Sequence, residues 1–350
     1  MMREIDIESY LGTEEKSPLI DVRSPGEYEK GHIPGAINIP LFTNDERAHV
    51  GTVYKQKSKE KAIELGYEYV NPKLQWFIDE SRKVAPSGNI VIHCWRGGMR
   101  SHSFAQHLAD NGFSNVGVIT GGYKAYRKYI LSQFERPMKL RIIGGYTGSG
   151  KTYILKELQK MGKQVIDLEG LAHHKGSAFG AIGESPQPTV EQFENDLYEK
   201  LHLLNTHQDI WLEDESHSIG GVKIPMGLFS QMRQQQLFFL NIPKEERAKH
   251  LVTEYTHCNN QCLIDSINRI SKRLGGQNVK EAIELIDKGN YQKVAMIALQ
   301  YYDKSYVRGT EKRDKKAVTA IPLNEVDHSQ NAKEILKFVT NYDQDKINTI

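Results

Sequence analysis

The chain has 350 residues, a formal net charge of +2, 39% apolar and 26% charged residues, which is about two globular domains' worth with enough apolar content for each to bury a core. No apolar run approaches the roughly 20 residues that span a bilayer, and the charged N-terminus MMREIDIESYLG lacks the apolar stretch of a signal peptide. Three cysteines, Cys94, Cys258 and Cys262, argue against a disulfide scaffold and for a reducing compartment, so the expectation is a cytoplasmic enzyme with no membrane partner.

The first half alternates strand and helix signals. SPLIDVR (Ser17 to Arg23) reads as a short apolar strand, Asn71 to Ala85 has helical spacing, and NIVIHC (Asn89 to Cys94) is a strand that ends on the cysteine. MRSHSFAQHLADNG (Met99 to Gly112) reads as a helix stopped by glycine, and VGVITGG (Val116 to Gly122) as another strand. Pro137, in the polar stretch SQFERPMK, cannot continue the preceding helix and marks a junction. This gives a first domain over 1–135 and a second over 136–350. The second series runs LRIIGG, strand; KTYILKELQKMG, helix; KQVIDLEG, strand; then DIWLEDES and QQLFFLNIP as further strands, with a mainly helical pattern beyond Pro243. The fold class expected is α/β: two domains, each a mainly parallel sheet with helices on both faces, and a helical C-terminal region.

Two loops carry chemistry. In HCWRGGMRS, Gly97 and Gly98 let the backbone curl so that successive N–H groups point at one spot beside Cys94. The following helix adds its positive end, and Arg96 and Arg100 add two guanidinium groups. All of this favours thiolate, the nucleophilic form. A bowl of donors also suits sulfur or selenium carried on the cysteine. The same loop geometry takes up phosphate in cysteine phosphatases, so the loop alone leaves the reaction open.

GYTGSGKT matches G-x-x-x-x-G-K-[ST] between a strand and a helix, the context of a P-loop. Gly145, Gly148, Ser149 and Gly150 supply a backbone that wraps phosphate, Lys151 neutralises its charge, and the Thr152 hydroxyl suits Mg²⁺. An acid should end a nearby strand. WLEDES offers Glu213, Asp214 and Glu215; alternation favours Asp214, and a slip of one residue reverses this. Asp167 and Glu169, after QVI, end a second strand. ATP, GTP or any diphosphate fits such a cradle, and no base-specificity motif of the NKxD kind follows.

Weaker signals remain. HCNNQC (His257 to Cys262) is half a zinc site, and no structural metal is assigned to it. His173 and His174 sit in a polar loop. Arg308, Lys312, Arg313, Lys315 and Lys316, beside tyrosines at 301, 302 and 306, form a basic and aromatic stretch suited to nucleic acid.

DVRSPGEYEKGHIPGAINIP (Asp21 to Pro40), with Cys94 and then Arg100, resembles the rhodanese family, in which Asp21 and Arg23 tie the sheet edge to the loop. The whole arrangement resembles the bacterial tRNA 2-selenouridine synthase family. The strings that carry this are NDERAHVGTVYKQ, RGGMRSHSFA, GGYKAYR, GGYTGSGKT, DLEGLAHHKGSAFG, LEDESHSIG and KRLGG, over about Asp21 to Arg308. The resemblance implies a rhodanese-like domain fused to a P-loop domain. It also implies a two-stage reaction on the wobble 2-thiouridine of tRNA. The sulfur is first alkylated by geranyl diphosphate, and selenium from selenophosphate then replaces the geranylated sulfur. Cys94 would carry selenium; Lys151 and Mg²⁺ would stabilise the departing diphosphate. The alternative is a rhodanese-type sulfurtransferase coupled to ATP hydrolysis.

Overall fold

The computed structural model describes residues 2–13, 16–255, 258–310 and 313–348. The chain divides into two compact units, Met1–Phe134 with Glu194–Glu199, and Glu135–Phe193 with Lys200–Ile350. The short segment Glu194–Glu199 is a part of the first unit that a single boundary at 135 leaves out.

In the first unit, strands β1 (Met2–Ile5), β2 (Leu19–Asp21), β3 (Ile37–Asn38), β4 (Asn89–His93) and β5 (Asn115–Ile119) form one parallel sheet in the order β1-β5-β4-β2-β3. The strand interiors are continuous apolar runs because helices cover both faces of a parallel sheet. Ile20, Ile90, Ile92, Val116 and Val118 pack there with Phe77, Phe104 and Leu108. The register pairs Ile92 with Val118, so Cys94 falls just beyond the C-terminal edge of the sheet. That edge is where open α/β sheets place their ligands.

The sequence pattern gives one helix before β4, and the structure has more. Helices Asn44–Gln56 and Lys59–Val70 precede the expected one, which runs Leu74–Val84 after a single turn Asn71–Lys73. Thr43 opens the first with a capping box: its hydroxyl accepts from the Glu46 N–H, and its own N–H donates to the Glu46 carboxylate at 2.8 Å. Ser58 caps the second through the Lys61 N–H.

In the second unit the strands are β6 (Leu140–Gly145), β7 (Gln164–Val165), β8 (Ile210–Glu213), β9 (Ser218–Ile219), β10 (Val222–Lys223), β11 (Leu237–Asn241) and β12 (Val318–Pro322). The main sheet is parallel, in the order β12-β11-β6-β8-β7, and β9 with β10 is a separate antiparallel pair. The P-loop strand β6 is therefore flanked directly by the acidic strand β8.

The C-terminal region is mainly helical, as expected, and β12 is the one strand that the described residues add to it beyond Asn241. VTAIP pairs with β11 in the register Leu240 to Ile321 and closes the sheet edge. The final helix, His328–Asn348, packs Ile335 and Val339 on the same core as Ile154, Leu155 and Leu158 of the helix that follows the P-loop. The helices between Asn260 and Thr310 gather a second core around Ile267, Ala282, Ile286 and Ala298. No described helix is long and apolar enough to cross a membrane.

Candidate functional site

Cys94 is buried, its sulfur facing a loop built for an anion. Ser101 Oγ lies 3.3 Å from Cys94 Sγ, and the N–H groups of Arg96 and Gly98 point at the same sulfur. Burial would push the thiol up. The Ser101 hydroxyl, the Arg100 charge and those two N–H groups outweigh it and hold Cys94 below the ordinary thiol range.

Neighbouring backbone fixes this cradle. Gly97 adopts φ +61°, and a β-carbon there would come within 2.4 Å of the Ile119 carbonyl. Gly122, at φ +55°, would bring one within 2.2 Å of the Cys94 carbonyl. The two glycines pack back to back, so only glycine fits either position. The N–H groups of Tyr123 and Lys124 donate to the carbonyls of Cys94 and Trp95, each at 2.9 Å, which turns the loop's own N–H groups toward the sulfur. Arg100 is oriented by Glu27, at 3.1 Å, and Arg96 is exposed. Asp21 and Arg23 form a buried forked ion pair, with the Arg23 guanidinium 3.9 Å from the Tyr123 ring centre. They brace the loop through Tyr123, whose N–H holds the Cys94 carbonyl, and through His93, 3.7 Å from Asp21. Glu27, Ser101, Gly122 and Tyr123 carry no chemical signal of their own in the sequence, although GGYKAYR is a string that carries the family resemblance.

In the second unit the P-loop lines a pocket of about 700 Å³. Gly148 (φ +82°) and Gly150 (φ +70°) turn the loop, and Lys151 donates to the Gly145 carbonyl at 3.2 Å. Ser149 donates to the Tyr146 carbonyl and is buried, so its contribution to the cradle is backbone. Arg247, also buried, ties the loop down through the Thr147 carbonyl at 3.0 Å and pairs with Asp303 at 2.9 and 3.0 Å.

Asp214 and Asp167, the two acids expected at the site, both line the pocket, and other groups already engage each of them. Asp214 accepts from Arg313 at 2.6 Å, Arg233 at 3.3 Å and the Tyr306 hydroxyl at 3.0 Å, so its carboxylate is already neutralised. Tyr306 OH in turn accepts from the Gly145 N–H at 3.2 Å, which makes Asp214 a support of the loop. Asp167 lines the pocket but caps the short helix Leu168–Ala172 through the Gly170 N–H at 2.7 Å.

The group that meets Thr152 is Glu169, whose carboxylate accepts from the Thr152 hydroxyl at 2.6 Å. Glu169 N–H donates to Glu213 Oε1 at 2.8 Å, and Glu213 Oε2 is buried with no partner. Burial and the neighbouring carboxylates of Glu169 and Asp167 push Glu213 up to about 8. Glu215 is raised for the same reasons, with Lys151 opposing. A cluster of carboxylates with an unpartnered buried oxygen beside the P-loop threonine fits a divalent cation. Among the described residues no three His, Cys, Asp or Glu side chains are placed to hold a metal alone, so further ligands would come from Thr152 and the phosphate itself.

The basic stretch expected to meet nucleic acid divides. Arg313 is buried against Asp214 and the carbonyls of Met232 and Gln235 and offers nothing to a phosphate backbone. Lys315 and Lys316 are exposed. Lys312 and the Arg308 side chain lie outside the described residues. So does His257; Cys258 and Cys262 are free thiols. His173 Nδ1 is bonded to the Pro186 carbonyl at 2.9 Å and serves the loop.

Comparison with known proteins covers both units. Residues 138–335 match the family model described as the tRNA 2-selenouridine synthase AAA domain, and residues 7–129 the rhodanese-like domain. The chain is 38% identical over 250 residues to a tRNA 2-selenouridine synthase of Nitrosomonas europaea, covering 68% of this chain and 63% of that protein. It is 34% identical over 337 residues to a protein of the same description from Shewanella sediminis, covering 86% and 90% of the two chains. A third, from Sulfurovum sp., is 34% identical over 331 residues, covering 83% and 88%.

Proposed function

The chain belongs to the tRNA 2-selenouridine synthase family, and from that membership we propose that it converts wobble 2-thiouridine in tRNA to 2-selenouridine through an S-geranylated intermediate. The observation that carries the prenyl step is an apolar slot beside the P-loop. Phe179, Leu263, Val294 and Ala298 line it, and it shares Thr147, Leu251, Tyr255 and Tyr302 with the phosphate pocket. The slot is small, about 60 Å³, with room for the start of an apolar chain attached to a diphosphate held by the loop; its surface is almost wholly apolar, and the hydroxyls of Thr147, Ser177, Tyr255, Tyr291 and Tyr302 are the polar groups among its lining residues.

In the first stage the thiocarbonyl sulfur attacks the prenyl carbon. The C–O bond breaks and the diphosphate departs with the electron pair. The N–H groups of the P-loop and Lys151 would receive that charge, and Lys151 would matter most where the charge is greatest, in the transition state. Thr152, Glu169 and Glu213 would hold Mg²⁺, which when bound supplies additional positive charge to the diphosphate. In the second stage the selenium of selenophosphate adds to the nucleoside carbon, and the alkylated sulfur leaves with the electron pair of its C–S bond as a thiolate, a far better leaving group than the unalkylated sulfur. Water takes the phosphoryl group from selenium as the P–Se bond breaks, releasing phosphate. The Cys94 cradle, with its depressed thiol and converging N–H donors, suits selenium supplied by selenophosphate.

The test is calorimetry with geranyl diphosphate and with ATP, each with Mg²⁺, beside mass spectrometry of thiolated RNA incubated with each. Tighter binding of geranyl diphosphate with formation of S-geranyl RNA is expected. Tight ATP binding and ATP turnover with no prenyl transfer would replace this reading with the ATP-coupled sulfurtransferase.

A further inference from the structure

The first unit contains a second apolar feature that selenium chemistry does not call for. A groove of about 1160 Å³ runs from Cys94 and Trp95 to the two helices Asn44–Gln56 and Lys59–Val70. That is above the about 300–1000 Å³ common for small-molecule pockets. A selenium atom on a thiol, or a selenophosphate anion, needs a cradle of donors and little else. Yet the groove walls are Val50, Tyr54, Ile63, Tyr67, Leu74 and Met99, and Tyr54, Tyr67 and Met99 are 59%, 52% and 53% exposed. Three large apolar side chains left this open around one cavity mark a place where something apolar is covered.

The rim has the opposite character. Arg47, Lys55 and Lys59 border the groove along the helices, and Arg96 and Arg100 border it at the sulfur. An apolar floor with a basic rim, continuous with a nucleophile, suits an apolar chain attached to a polyanion. A free lipid would leave the Cys94 end unused, and an unmodified RNA would leave the floor unused.

We infer that this groove binds the prenyl chain of S-geranylated 2-thiouridine in RNA, holding the alkylated nucleoside against the Cys94 loop. The inference rests on the S-geranylated intermediate proposed above and adds its location in the second stage. It assigns the helices Asn44–Gln56 and Lys59–Val70 a specificity role: the prenyl chain distinguishes alkylated from unalkylated nucleoside before selenium is delivered.

The experiment compares anticodon stem–loop RNAs carrying S-geranyl or S-methyl 2-thiouridine, which share the leaving atom and differ in the chain. Binding to the full-length protein is measured by fluorescence anisotropy. Burial of each methylene favours binding by about fourfold, so the S-geranyl RNA should bind about tenfold or more tightly. The double substitution Tyr54→Ala and Tyr67→Ala, at exposed positions where folding is not at stake, should bring the two affinities close together. Ile63→Trp, which fills the groove, should do the same. Val294→Trp, in the apolar slot of the P-loop unit, should leave the preference in place. The inference is overturned if the wild type shows no preference, if the groove substitutions leave it intact, or if only Val294→Trp removes it. Whether the wild type makes S-geranyl RNA from geranyl diphosphate is a separate measurement, and its failure would overturn the function proposed above.

Discussion

The backbone N–H of Tyr123 donates to the carbonyl of Cys94 at 2.9 Å, so the start of the helix Gly122–Gln133 anchors the reactive loop from behind. Gly122 makes that approach possible, since a β-carbon there would lie 2.2 Å from the Cys94 carbonyl. Gly122→Ala must therefore move the loop and disturb the N–H groups aimed at the sulfur. The expected result is a rise in the Cys94 thiol pKa, read from the pH dependence of alkylation by iodoacetamide, with loss of selenium incorporation. An unchanged profile would show that the cradle tolerates displacement.

The same titration separates the groups that hold the thiol down. Ser101→Ala removes the hydroxyl 3.3 Å from Sγ, and Arg100→Ala removes the nearby charge. Each should raise the inflection, because each native group favours the thiolate. Cys94→Ser should abolish selenium incorporation while geranylation continues, since the two sets of residues belong to different units. Selenation of S-geranyl RNA by Cys94→Ser at the wild-type rate would remove Cys94 from the mechanism.

Glu213 gives a pH dependence whose sign is fixed. Its folded-state value is about 8 against an ordinary 4.5. Below about pH 4.5 both folded and unfolded chains carry the proton. Between there and about pH 8 the unfolded chain loses it first, so the folded state binds more protons and stability falls as pH rises, by at most about 1.4 kcal/mol per pH unit for one group. Glu213→Gln should flatten this slope in part, because Glu215 is raised as well. Urea unfolding followed by Trp211 fluorescence, with Trp76 and Trp95 replaced by Phe, measures it. A slope identical to wild type would place the proton elsewhere.

Lys151→Ala should lower geranylation by about 10²–10³, the usual cost of removing one preorganised charged group from a transition state, with a smaller effect on affinity for geranyl diphosphate. Single-turnover rates and calorimetry on the same variant decide between rate and affinity. A loss confined to affinity would mean that Lys151 serves binding alone.

Much of the fold and of both loops is legible in the sequence because the signals are local. The P-loop and the cysteine loop each require a strand, a turn and a helix in succession, and the glycines declare the turn. What stays hidden depends on distant partners. β12 is five residues ending in proline, and only its pairing with β11 identifies it. Glu169, Asp167, Glu213 and Asp214 all sit near strand ends, and the choice between them is set by which face each reaches. β8 ends at Glu213, which turns toward Glu169, whereas Asp214 turns toward Arg313, 99 residues further along the chain.

That last pairing reverses an expectation about nucleic acid and yields a sharp contrast. Arg313 and Asp214 are both buried, with relative side-chain exposures of 1% and 6%. Removing one partner of a buried pair leaves an uncompensated charge and costs about 3–5 kcal/mol. Arg313→Glu adds a second negative charge beside Asp214, so it should destabilise the P-loop unit by at least that order and weaken RNA binding only through misfolding. Lys315 and Lys316 are exposed on the short turn that leads into β12, where substitution changes stability by no more than about 0.5 kcal/mol. If these lysines bind RNA phosphates, Lys315→Glu with Lys316→Glu lowers the dependence of log affinity on log salt by about 0.7–0.9 for each phosphate no longer neutralised. Thermal unfolding and RNA titrations at several salt concentrations, run on both variants, separate a structural arginine from binding lysines. A folded Arg313→Glu protein with a reduced salt slope would restore Arg313 to the RNA surface and break the proposed link between Asp214 and the P-loop.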